Sequence, residues 1–101
     1  MPALGERIQL RHPERGKSAP RIERWKYEAL KRAILKVVPR KEPGLPFARL
    51  APAVTRHLSR AERAKLGSVA WYSISVKLDL EARGVLRRVP GVAPQRLIRL
   101  K

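Results

Sequence analysis

Gly67-Ser68-Val69-Ala70-Trp71-Tyr72-Ser73-Ile74-Ser75-Val76-Lys77-Leu78-Asp79-Leu80-Glu81-Ala82-Arg83-Gly84-Val85-Leu86-Arg87-Arg88 is the stretch that decides the fold. Ser68 is a helix N-cap residue type and Gly84 a helix terminator, so a helix is predicted over 69–83. Val69, Tyr72, Val76 and Leu80 form one apolar stripe on it. Trp71, Ile74, Leu78 and Ala82 form another, about 160° away at about 100° per residue. A helix apolar on two sides is expected to be buried on two sides. Past Gly84 the chain reads as a hairpin over 85–100. Val85–Val89 is a short strand, Pro90-Gly91 suits the two central positions of a type II turn, and Gln95–Leu100 returns.

Upstream, Tyr27, Leu30, Ile34 and Val37 recur at helical spacing, widened by Ala33 and Val38, and predict a helix over 22–38. Pro39 ends it, and residues 40–44 read as a turn. Phe47, Leu50, Val54 and Leu58 predict a second helix over 47–58. Pro52 lies inside it and would remove a backbone hydrogen bond, so the helix either starts near Ala51 or kinks. Ser59 and Glu62 have capping-box spacing, which predicts a short helical turn over 60–65 ended by Gly67. Glu6–Arg11 alternates weakly, as a strand does, and residues 12–20 read as an irregular connector. Residues 1–20 are thus expected to form an N-terminal arm, either an edge strand or mobile, ahead of a body over 21–101.

Charge narrows the partners. The chain holds 24 Lys and Arg, of which 16 are Arg, against 8 acids, for a formal net charge of +16 on 101 residues. Residues 1–66 carry +11 of it and residues 67–101 carry +5, so the folded body itself should be basic. Such self-repulsion points to a polyanionic partner, with nucleic acid foremost. There is no Cys, which excludes disulfides, thiol catalysis and Cys-based zinc sites. No apolar run suits a membrane span or secretory signal, so the expected location is cytoplasmic, with no membrane partner. The absence of Asn and Cys beside abundant Arg fits a heat-loving source or GC-rich coding equally.

Little supports catalysis. Asp79 and Glu81 are two apart on a helix, so their side chains diverge by about 200°. The single Thr and five Ser form no nucleophile motif, and the six Gly are scattered near turns rather than gathered in a phosphate loop. His12 and His57 have no acidic neighbours suited to a metal cage. The expectation is a non-enzyme with no cofactor, no metal and no small-molecule substrate.

The order helix, turn, helix, helix, hairpin, joined by Leu80-Glu81-Ala82-Arg83-Gly84-Val85-Leu86-Arg87-Arg88, resembles the winged helix-turn-helix of bacterial transcription regulators across residues 22–100. Residues 67–84 also resemble a family of small bacterial proteins of unknown function, which implies no activity. The first resemblance implies an α+β winged-helix domain with three main helices and a C-terminal hairpin wing. It implies duplex DNA binding, by a small regulator or a nucleoid-associated chromosomal protein. Its third helix would enter the major groove with Ser68, Trp71, Ser73, Ser75 and Lys77. The wing would offer Arg87, Arg88, Arg96 and Arg99 to phosphates, with Arg21, Arg24, Lys31, Arg32 and Lys36 as secondary backbone contacts.

Three features depart from that family. Lys77 stands seven before Gly84, where an apolar residue is usual. The outward face carries Trp71, Ile74 and Leu78. Asp79 and Glu81 would repel phosphate if they faced it. DNA is preferred to RNA because no aromatic-rich RNA-binding strand motif is present. The alternative is a winged-helix protein-interaction module, homodimeric through the Trp71–Ile74–Leu78 stripe. That stripe has three candidate covers: the arm through Ile8 and Leu10, a second subunit, or a separate partner. Trp25, off the main stripe of its helix, is expected to pack on the arm.

Overall fold

In the computed structural model, which describes residues 5–101, four α-helices and two small antiparallel sheets surround one apolar core. Strand β1 (Arg7–Gln9) pairs with β2 (Arg21–Glu23), Ile8 opposite Ile22. Helix α1 (Arg24–Val37) follows directly. Its stripe of Tyr27, Leu30, Ala33 and Ile34 is buried, because apolar residues three and four apart share one face. The helix predicted from residue 22 begins two residues later, since Arg21–Glu23 is held extended by β1. The arm is therefore not a loose extension. Leu10 lies in the core at 2% exposure, and Ile8 and Trp25 pack against it. Residues 1–4 of the expected arm lie outside the described residues.

Strand β3 (Leu45–Pro46) falls between the predicted turn over 40–44 and the predicted helix from 47, where two residues carry no readable alternation. It pairs with β5 (Arg96–Arg99), which also pairs with β4 (Leu86–Arg88), so the second sheet runs β3-β5-β4. Pro46, which cannot donate to a ladder, sits on the edge strand. Between β3 and β4 lie a single 3-10 turn (Phe47–Arg49), α2 (Leu50–Thr55), α3 (Arg60–Leu66) and α4 (Val69–Ala82). Pro52 falls in the first turn of α2, where no intrahelical acceptor is needed, so the helix is not kinked there. The predicted 47–58 helix is accordingly shorter, and Leu58 reaches the core from the turn that follows.

The helix ends obey local rules. Ser59 and Glu62 form the capping box, with the Glu62 N–H donating to Ser59 Oγ at 3.0 Å and the Ser59 N–H donating to Glu62 Oε1 at 2.8 Å. Ser68 Oγ accepts from the Trp71 N–H at 3.0 Å. In the hairpin, Gly91 takes φ +71°, as the third position of a type II turn requires.

Gly44 is the one glycine confined by packing as well as by φ. At φ +80° a Cβ there would lie 2.5 Å from the Leu97 carbonyl oxygen, in the strand paired with β3. Gly44→Ala must therefore push β3 off β5 and also strain the backbone. We expect a loss of about 2 kcal/mol or more, read from urea unfolding. A melting curve superposable on that of the unsubstituted chain would show that the β3–β5 contact yields freely.

Candidate nucleic-acid interface

The acids of this chain are largely consumed inside the molecule. Glu6 and Glu28 pair with Arg24, Glu14 with Lys17, Glu23 with Lys26, and Glu62 with Arg32. Asp79 pairs with Arg83, and Glu81 with Lys77 and Arg88. Only Glu42 of the eight acids joins no ion pair among the described residues. Most arginines are thus left facing solvent without a carboxylate.

The densest such run is on the helices before α4. Arg49, Arg56, Arg60, Arg63 and Lys65 are all exposed and form no ion pair among the described residues. Arg49 and Arg56 line one groove of about 400 Å³, floored by Leu45, Pro52 and Ala53, between β3 and α2. Reading the sequence missed these residues, because the winged-helix pattern directs attention to the third helix and the wing. Their seven-residue separation, two helical turns, was the available signal.

Helix α4 does not present what was expected of it. Ser73 and Lys77 are buried at 1% and 2% exposure, so neither reaches a solvent-borne ligand. Lys77 stands at the position where the winged-helix resemblance implies an apolar residue, and its side chain is fully buried. Its Nζ lies 4.8 Å from the centre of the Phe47 ring and 2.9 Å from Glu81 Oε2. Burial pushes its ammonium below the usual lysine range, and the Glu81 pairing opposes that shift. Ser75 is half-buried, and Ser68 is exposed but engaged as a cap. Trp71 remains as the exposed large side chain among these five, at 50%.

The wing is similarly reduced. Arg96 donates to the Gly44 carbonyl at 3.2 Å and Arg99 to the Val38 carbonyl at 3.1 Å, so both tie the hairpin to the body. Arg88 is held by Glu81 at 3.0 Å. Arg87 is exposed and forms no ion pair among the described residues. Among the secondary candidates, Arg21 and Lys36 are exposed, and Lys31 lies 6.0 Å over the Tyr27 ring. Arg24 and Arg32 are committed to Glu6 and Glu62.

The carboxylates thought to oppose phosphate face inward. Asp79 is 0% exposed and gathers three donors: Tyr27 Oη at 2.8 Å, the Arg11 N–H at 2.9 Å and Arg83 Nε at 2.9 Å. It joins the arm, α1 and α4 at one atom pair. Burial first, and then the Asp79 hydrogen bond, push the Tyr27 phenol up to about 12.

The arm leaves Trp71 and Ile74 open, at 50% and 43% exposure, so burial of α4 on both sides does not occur within one chain. The reason is that the arm's polar anchor, Asp79, lies about 80° from Trp71 around α4 and pulls the chain toward α1.

A family model described as a family of unknown function (DUF6958) matches residues 7–97. The chain belongs to that family. The DUF6958 match begins within β1 and ends within β5, so it takes in the arm as well as the helices and both sheets. No curated protein and no solved structure gives a significant match. Among the described residues, no helix of this DUF6958 chain is long and apolar enough to cross a membrane. No group of three or more His, Asp or Glu suited to a metal ion occurs among them either.

Proposed function

We propose that this chain is a winged-helix protein that binds duplex DNA through its phosphates, with little reading of base sequence. The observation that carries it is the pair of unpaired guanidiniums, Arg49 and Arg56, flanking one groove on a chain of net charge +16. Supporting the fold reading, a short strand after the first helix pairs with the returning hairpin strand in a β3-β5-β4 sheet, as in winged helices. Phosphate binding follows from the chemistry of arginine, a planar fork that donates two bonds to one anion.

Weak sequence reading follows from α4. Base edges in the major groove are read by donors and acceptors placed on the helix surface. The exposed positions there are Ala70, Trp71 and Ile74, which offer almost none. Contact is instead assigned to the α2–α3 arginines and to Arg87, with Arg88, Arg96 and Arg99 left as supports of the wing. A non-enzymatic role, with no cofactor or small-molecule substrate, accompanies this reading.

The test is anisotropy of a labelled duplex across a salt series. The log of affinity should fall linearly with log salt, by a slope of about 0.9 for each phosphate neutralised. Arg49→Ala with Arg56→Ala should flatten that slope by about 2, and Arg87→Ala by about 1. Slopes unchanged in these variants would remove the groove and the wing from the interface.

A further inference from the structure

Lys77, Glu81 and Arg88 form a line of charge from the interior to the wing. Glu81 stands in the last turn of α4, with its side chain almost wholly buried. Its Oε2 lies 2.9 Å from Lys77 Nζ, and its Oε1 accepts from Arg88 Nε on β4 at 3.0 Å. Every other ion-paired acid among the described residues has a single cationic partner. Glu81 has two, so one unit of negative charge is shared between two cations and one cation is in excess. Burial decides which of them can leave. Lys77 is fully buried, and its ammonium would be stranded without a carboxylate. The Arg88 side chain is 54% exposed, and its departure would leave Lys77 and Glu81 as a neutral pair.

We propose that Glu81 sets the wing's share of phosphate binding by withholding Arg88 from the duplex. The inference rests on the DNA reading given above. A carboxylate and a phosphodiester offer a guanidinium the same thing, two oxygens sharing one negative charge. Glu81 therefore takes the place of a phosphate that belongs to the chain itself. The competition favours it, because Glu81 is fixed on α4 beside Arg88, whereas a phosphate must be brought in from solution. Arg87, the preceding residue on β4, has no ion pair among the described residues. The wing thus offers DNA one free guanidinium of this adjacent pair rather than two.

Lys77→Met with Glu81→Met tests the proposal. The two substitutions remove one charge of each sign, so the net charge stays at +16 and cannot itself alter DNA affinity. Apolar side chains of similar size commonly replace a buried ion pair without loss of the fold. Arg88 then has no carboxylate. In the anisotropy salt series the slope should steepen by about 0.9, the value of one further phosphate, which amounts to about an eightfold gain in affinity at 0.1 M salt. Adding Arg88→Ala to this variant should cancel the gain. A slope no steeper than the parent's, or a gain that persists without Arg88, would overturn the proposal. So would Arg88→Ala flattening the parent's slope by a full phosphate, since Arg88 would then already lie on the duplex. Should the Met pair fail to melt cooperatively, Glu81→Gln set against Glu42→Gln decides. Both raise the net charge by one, and only the first should steepen the slope. Failure of the DNA reading has a different mark: Arg49→Ala with Arg56→Ala would leave the parent's slope unchanged.

Discussion

Asp79→Ala should destabilise this domain by about 3 kcal/mol, with a melting temperature lower by on the order of 15 °C. The size follows from what is left behind. The carboxylate is fully buried, and its removal orphans the Tyr27 hydroxyl, itself 4% exposed, together with the Arg11 N–H. Arg83 is 29% exposed and can turn to water, so its loss adds little. Because one donor belongs to the arm, the variant should also free that segment. Amides of residues 7–11 should exchange with solvent much faster than in the parent chain, out of proportion to the global loss. Tyr27→Phe is the milder companion, about 1 kcal/mol, since it removes one partner and leaves the carboxylate its other two. Protection at residues 7–11 equal to that of the parent would mean that Leu10 alone holds the arm.

The same pair fixes the alkaline limit. The Tyr27 phenol titrates at about 12 when folded, above its ordinary value near 10 in the unfolded chain. Its contribution to stability is therefore complete below about pH 10 and is lost as pH rises from there to about 12. Lys77 works in the other direction: its folded value is depressed, so stability from that group recovers as pH approaches the unfolded lysine value. In Tyr27→Phe the alkaline loss should shrink, and the absorbance of the remaining tyrosine, Tyr72, can be followed alone.

Reversing charge at Arg49, Arg56, Arg60 and Arg63 to Glu should weaken duplex binding by on the order of a thousandfold or more at 0.1 M salt. Each reversal both removes a released counterion and adds a charge that repels phosphate, so the effect exceeds that of four alanines. Stability should change little, since all four side chains are exposed and none is in an ion pair among the described residues. Charge alone cannot mimic the outcome if a matched control is used. Reversing Arg7, Arg15, Arg40 and Lys41 to Glu, which lie on the arm and after α1, gives the same net charge. Electrophoretic mobility shift with both variants separates the two cases. Equal losses would mean that DNA senses only the total charge and that the β3–α2 groove has no special place.

Much of the molecule was readable from the chain because it rests on local physics. The caps at Ser59 and Ser68, the stripes of α1 and α2, and the hairpin after Gly84 follow from side-chain spacing and backbone preference over a few residues. They stand where expected to within a few positions. The exclusion of thiol chemistry needed only composition. What the sequence could not supply was the destination of each polar group. Lys77 and Arg88 look like ligands for an anion until the fold brings Glu81 between them. Asp79 looks like a defect on a DNA-facing helix until Tyr27 and Arg11, 52 and 68 residues away, close around it. Strand β3 was invisible because pairing with β5, not its own two residues, makes it a strand. The same holds for α4. Two apolar stripes were visible in the sequence, but only the packing of the other elements decided that one is core and the other is left at the surface. Local preference acts through neighbours in the chain, whereas burial and charge pairing act through neighbours in space.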